Sequence, residues 1–213
     1  MNARTFSLAD RIIGEIDRAI KVLWCPARSR RATPAHPEGE LTLDAPTRLE
    51  SSRLMRVNHA GEVAAQALYQ GQALTARDST VADAMRHAAA EEMDHLAWCE
   101  QRLGELHGQT SLLNPLWYAG SFAIGALAGI LGDRTSLGFI SETERQVESH
   151  LRDHMERLPA ADWRSRAILE QMRHDEVMHG ATAAALGGQE LPFPLRKAMR
   201  LTSRLMTRGS YWL

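Results

Sequence analysis

The tetrapeptides Glu92-Met93-Asp94-His95 and Glu176-Val177-Met178-His179 constrain this chain more than any other feature. Each is Glu-x-x-His in a stretch whose apolar residues recur every three or four positions, so the carboxylate and the imidazole share one helical face. Each is preceded by a further acid, Glu91 or Asp175. The surrounding chain reads as four long helical segments, roughly 50–75, 79–107, 135–158 and 161–186. Short breaks at Arg77-Asp78 and Pro159-Ala160 make two antiparallel hairpins of them. In a hairpin, residues equally far from the turn lie at one height. Reflecting Glu92 through residue 77 lands on Glu62, and reflecting Glu176 through residue 160 lands on Glu144. Six groups are therefore expected to converge at one level: Glu62, Glu92, His95, Glu144, Glu176 and His179.

The flanking residues support an inward orientation. Met55 and Tyr69, Met85 and Cys99, Leu137 and Leu151, and Leu169 and Ala183 stand one heptad either side of the four glutamates. Acids on such stripes are costly to bury unless they are paired or bind metal. Four carboxylates and two imidazoles suit iron or manganese. A glutamate from each of two helices, with Glu-x-x-His from each of two others, is the ligand set of di-iron carboxylate bundles.

A single Glu or His is more often a solvated or capping residue, so the weight rests on the mirrored set. Glu142 and Glu148 rival Glu144, but the reflection favours Glu144. His59, in a reversed His-x-x-Glu order, is expected beside the ligands rather than among them. Asp175 is expected to orient an imidazole from another helix, Glu91 to do the same, and His150 to be a neighbour at most. His87, His107, His154 and His174 are expected on the surface or in packing, and the methionines of the bundle in its core.

The length of 213 residues suits one domain with tails: a bundle over 49–213 that ends in a basic helix, preceded by 1–48. Residues 7–23 open with a Ser7/Asp10 capping box and carry Ile12, Ile13, Ile16, Ile20 and Leu23 along one stripe. Residues 24–48 hold four of the eight prolines and the cluster Arg28, Arg30, Arg31, which reads as a linker or an ordered strap. A net charge of -1 argues against a general nucleic-acid binder. The charge is unevenly spread: residues 49–188 carry 12 basic and 19 acidic groups, residues 189–213 five and one. The two cysteines, Cys25 and Cys99, form no CxxC pair, which predicts a reducing compartment without a disulfide framework. Acids at 10, 15 and 17 interrupt every early apolar run, so no secretory signal is expected.

Between the hairpins, residues 106–132 contain no Asp, Glu, Lys or Arg. The apolar part, Leu116 to Leu131, is shorter than the ~20 residues that span a bilayer, and includes Gly120, Gly125 and Gly129. It is expected to be a buried crossover or a segment dipping into one leaflet. Near the end, Arg196, Arg200, Arg204 and Arg208 recur every four residues beside Lys197, while Leu195, Met199, Leu205 and Met206 fall largely on another face. A basic amphipathic helix over about 194–208 follows, suited to an anionic membrane surface.

The run Arg56-Val57-Asn58-His59-Ala60-Gly61-Glu62, both Glu-x-x-His pairs and Glu144 resemble the Coq7 family, the di-iron demethoxyubiquinone hydroxylases of ubiquinone synthesis, over about residues 48–213. The resemblance implies a ferritin-like four-helix bundle, seated peripherally on the cytoplasmic face of the cell membrane, with two iron ions per chain on the six positions above. It implies O2-dependent hydroxylation of a polyprenylated methoxy-methyl-benzoquinol to 3-demethylubiquinol, with electrons from an external donor. A homo-oligomer, or contact with other ubiquinone-synthesis proteins, fits the same reading. Some members have a His-Tyr pair after the third-helix glutamate; here His150-Leu151 stands, so a role for that tyrosine in electron transfer does not carry over. The competing readings are a ferritin- or rubrerythrin-like protein of iron oxidation or storage, and a non-catalytic helical membrane adaptor.

Overall fold

A computed structural model describes residues 7–35 and 42–213; residues 36–41, within the proline-rich stretch, lie outside the described residues. The described chain is all helix, without strands: α1 (Leu8–Trp24), α2 (Ala45–Thr75), α3 (Ser79–Glu105), α4 (Asn114–Ile130), α5 (Asp133–Arg157), α6 (Trp163–Ala185) and α7 (Phe193–Trp212). Side-chain caps start most of these helices. Ser7 and Asp10 form the expected capping box, and Asp44, Asp78 and Asp162 each accept a backbone N–H in the first turn of α2, α3 and α6. The helix α2 begins earlier than the apolar pattern predicts. Asp44 caps it and Pro46 occupies its first turn, where the missing proline N–H costs nothing.

Four helices, α2, α3, α5 and α6, make a ferritin-like bundle, with α2–α3 and α5–α6 as antiparallel hairpins. Both carboxylate oxygens of Asp133 accept backbone N–H groups of Arg77 and Asp78, at 3.0 and 2.8 Å. That contact places the start of α5 at the α2–α3 turn, so α5 descends beside the ascending α2 and the bundle runs up, down, down, up. At the opposite end the buried guanidinium of Arg102 meets Asp162 at 2.7 Å and Ser165 at 3.0 Å, joining α3 to the start of α6.

The crossover between the hairpins is a regular helix, α4, laid parallel to α2. It is not the fully buried crossover that was one of the two expectations, and the reason lies in its glycines. At Gly125 an added Cβ would come 2.2 Å from the Leu68 carbonyl oxygen, and at Gly71 one would come 2.3 Å from that of Phe122. Bare backbones let the two helices touch directly on one side, leaving Leu116, Ile124, Leu127 and Ile130 facing outward. The stripe of α1 is also turned outward. Ile12, Ile13, Ile16 and Ile20 are 46–64% exposed, while Val22 packs with Val63, Ala67, Leu96 and Tyr118.

The last helix, α7, extends to Trp212, past its expected end, and returns along α2 and α5. Leu112 N–H donates to the Leu213 carbonyl at 2.9 Å, and the Trp117 indole donates to Ser210 at 3.0 Å. Its basic stripe is divided. Arg196 pairs with Glu190 at 2.9 Å and Arg200 approaches Glu142, whereas Arg204 and Arg208 are exposed beside Leu201 and Leu205. None of the described helices is long and apolar enough to cross a membrane.

Candidate metal centre

The six sequence-predicted positions meet in the middle of the bundle, Glu62 from α2, Glu92 and His95 from α3, Glu144 from α5, and Glu176 and His179 from α6. All are buried but His179, which is 9% exposed. They form two cation-sized groups: Glu62, Glu92, His95 and Glu176 in one, and Glu92, Glu144, Glu176 and His179 in the other. Glu92 and Glu176 belong to both. The Nδ1 of His95 lies 2.9 Å from Glu92 Oε2 and 3.3 Å from Glu176 Oε1. The Nδ1 of His179 lies 3.2 Å from Glu92 Oε1 and 3.2 Å from Glu176 Oε2. Each shared carboxylate thus offers one oxygen to either half, while Glu62 serves only the His95 half and Glu144 only the other.

Both imidazoles turn Nδ1 toward the glutamates and Nε2 away. His95 Nε2 meets Asp175 at 2.9 Å, and His179 Nε2 meets Glu91 at 3.0 Å. The acid before each Glu-x-x-His therefore crosses to the imidazole of the opposite helix, giving the site an internal two-fold likeness. The structure places His59 elsewhere, correcting the expectation that it adjoins the ligands, while His150, expected to be a neighbour at most, packs within α5. His59 stands one turn before Glu62, and its ring is taken up by Asn114 of α4 at 3.4 Å. The His150 ring packs 3.8 Å from that of His154, whose Nδ1 meets Asn58 Oδ1 at 2.8 Å. Glu142 and Glu148 pair with arginines at 2.7–3.0 Å outside the cluster, so neither replaces Glu144.

In the sequence Tyr69 stands out only as a flank of Glu62. In the fold its hydroxyl donates to Glu144 Oε1 inside the bundle. Its heptad spacing from Glu62 was the available signal, because it put a polar tip at ligand depth.

The electrostatics describe a site short of positive charge. Burial pushes the Glu62 and Glu144 carboxyls well above their usual range, with neighbouring carboxylates adding to the effect. Burial opposes charge on the imidazoles too, but the glutamates outweigh it, raising His95 well above its usual range and His179 to about 12. Those imidazoles, together with their hydrogen bonds, hold Glu92 below the ordinary carboxylate range against burial. Protons are thus drawn to a place where four acids cluster. Glu62 Oε2 is buried without a hydrogen bond. A buried, oxygen-rich set with two inward imidazole nitrogens and an unpaired carboxylate oxygen fits two divalent cations of the iron or manganese type.

Above and below the cluster the interior is apolar. Met55, Cys99, Leu169 and Met172 lie on one side; Met85, Leu137, Ile140 and Ala183 lie on the other.

A family model described as ubiquinone biosynthesis protein COQ7 matches residues 50–210. The chain is 55% identical over 202 residues to a 3-demethoxyubiquinol 3-hydroxylase of Azoarcus sp. (strain BH72), covering 95% of this chain and 98% of the relative. It is 54% identical over 204 residues to that of Nitrosospira multiformis, covering 96% and 98%. It is 52% identical over 212 residues to that of Legionella pneumophila (strain Lens), covering 99% and 100%.

Proposed function

The chain belongs to the ubiquinone biosynthesis protein COQ7 family, and from that premise we propose that it is a 3-demethoxyubiquinol 3-hydroxylase working at a two-iron centre. The substrate is a polyprenylated quinol lipid, 2-polyprenyl-3-methyl-6-methoxy-1,4-benzoquinol, the co-substrate is O2, and the product is 3-demethylubiquinol. The observation that carries the metal reading is the sharing of Glu92 and Glu176 by both halves of the cluster, one oxygen to each.

Glu62, Glu92, His95 and Glu176 would hold one ion, and Glu92, Glu144, Glu176 and His179 the other. When bound, the two irons would supply the redox chemistry that activates O2, so that one oxygen atom enters the ring and the other leaves as water, with two electrons from an external donor and two protons. The protein does the rest. Asp175 and Glu91 hold the Nε2 edges, so each Nδ1 stays aimed at the site. Tyr69, kept a neutral phenol by burial and by Glu144, Glu92 and Glu176, holds its proton against Glu144. The apolar walls around the cluster keep bulk water from competing reactions.

The proposal extends to location, a peripheral protein on the cytoplasmic face of the cell membrane. It is supported by the outward apolar faces of α1, α4 and α7, which all pack on α2, and by the exposed Arg204 and Arg208 among them. Such faces favour insertion beside anionic headgroups and suit a lipid substrate better than a soluble iron store. Anaerobic loading with Fe(II), followed by conversion of the quinol under O2, tests the function. Hydroxylated product from the loaded wild type and none from Glu176→Ala is expected; loss of vesicle binding on placing charges at Leu116, Leu127 and Ile130 tests the location.

A further inference from the structure

The strap before α2 reaches the metal centre through one arginine. Residues 27–35 lie across α3: Ala27 N–H donates to Glu100 at 2.9 Å, and Ser29 Oγ and Arg30 N–H donate to Asp94 Oδ1 at 3.0 and 2.6 Å. On the far side, Ala35 is buried in the core with Leu54, Trp98 and Leu103. Arg31 is thereby held at both ends. Its Nε donates to Asp94 Oδ2 at 2.8 Å, its Nη1 lies 2.8 Å from Asp175 Oδ2, and its guanidinium carbon stands 4.7 Å over the Trp98 ring.

Asp175 Oδ2 is the atom that meets His95 Nε2 at 2.9 Å. The chain of contacts runs from strap arginine to α6 carboxylate to α3 imidazole. The remaining Asp175 oxygen accepts from Gln171 at 2.9 Å, so this carboxylate is fixed on both sides and is only 13% exposed. The equivalent acid in the other half is arranged differently. Glu91 is 35% exposed and, besides His179, meets the exposed His87 at 3.7 Å. Among the described residues no arginine is paired with it.

We propose that Arg31 is a positioning residue of the metal centre: by fixing Asp175 it sets the His95 ring and makes the half containing Glu62, Glu92, His95 and Glu176 the more rigid and tighter of the two. The inference rests on the two-metal reading above. It assigns a role to a strap that lies outside residues 50–210, the part matched by the family model. A bidentate, planar guanidinium suits this task because two carboxylates on different helices are bridged at once; a lysine offers a single point charge.

The test is an anaerobic Fe(II) titration of wild type, Arg31→Met, Arg31→Lys and Glu100→Gln, with Mössbauer spectra at full loading. Glu100→Gln loosens the strap at Ala27 without touching Asp175. In Arg31→Met one of the two sites should weaken about 10-fold or more, the usual cost of removing a group that orients a ligand. The spectrum of one iron should change while the other keeps its parameters, Arg31→Lys should recover part of the loss, and Glu100→Gln should match wild type. Wild-type affinities and spectra in Arg31→Met would overturn the role, as would equal losses at both sites shared by Glu100→Gln, the pattern of a merely structural strap. Absence of iron from folded wild type would overturn the two-metal reading itself, and that is read before any variant is compared.

Discussion

Tyr69, on α2, donates its hydroxyl to Glu144 Oε1, on α5, across the interior of the bundle and at the level of the metal ligands. Without a cation this contact satisfies a buried carboxyl; a bound cation would take over part of that task, since Glu144 is one of the residues that would hold it. Tyr69→Phe should destabilise the metal-free protein by about 1–3 kcal/mol, the cost of a buried acceptor left unmatched. Thermal melts with and without Fe(II) check this. The loss should shrink on loading, and an equal loss in both states would contradict the assignment.

The sharing of Glu92 and Glu176 predicts an unequal response to substitution around the cluster. Glu92→Gln or Glu176→Gln removes a ligand from both halves and should strip most of both metals. Glu62→Gln or Glu144→Gln touches one half and should leave about one metal per chain, on the ligand sets found here. Metal content by elemental analysis, alongside circular dichroism to confirm helix, decides it. A uniform loss across all four variants would contradict the two-half arrangement.

The metal-free protein should lose stability as pH rises above the ordinary histidine range. Against burial, Glu176 and Glu92 raise His179 to about 12, and His95 is likewise raised. The folded state therefore holds more protons than the unfolded chain between about pH 6.5 and 12. That stabilisation is fully present below about 6.5 and is lost on the way up. Metals displace these protons, so metal affinity should increase with pH and the loaded protein should decline less. Melting temperatures from pH 6.5 to 9 test the sign, and parallel curves for the loaded and metal-free protein would contradict it.

The seat of α4 on α2 makes Gly125→Ala a sharp substitution. The new Cβ would meet the Leu68 backbone, which cannot swing aside as a side chain would. A loss of about 1–3 kcal/mol is expected. Gly120→Ala, where a Cβ meets nothing within 4 Å, should be neutral or slightly stabilising because helical glycine is disfavoured. Chemical denaturation of the two variants compares them directly.

The reflection that linked Glu92 to Glu62 and Glu176 to Glu144 works because the breaks between helices, Ala76–Asp78 and Leu158–Asp162, are short and centred on residues 77 and 160. Heptad spacing then carries inward orientation from the apolar neighbours to the acids. What periodicity does not carry is the direction of a stripe. The apolar rows of α1 and α4 are plain in the sequence, yet both face outward, because α1 uses Val22 and α4 uses its glycines to reach α2. The close approach made by Gly125 and Gly71 depends on the bare backbone of the facing helix, which neither stretch shows by itself. Pairings across the fold were equally hidden. Arg31 shows in sequence as one of three clustered arginines, and nothing local marks it as the one that reaches Asp175. His59 failed as a neighbour of the ligands for the same reason, since its partner Asn114 belongs to another helix.

The most direct measurement is turnover of the quinol by anaerobically iron-loaded protein under 18O2, with the metal content of the same sample determined. Two irons per chain, and one labelled oxygen atom in each molecule of hydroxylated quinol, are expected for a hydroxylase working at this cluster. Unlabelled product, or labelled product from protein carrying no iron, would contradict it.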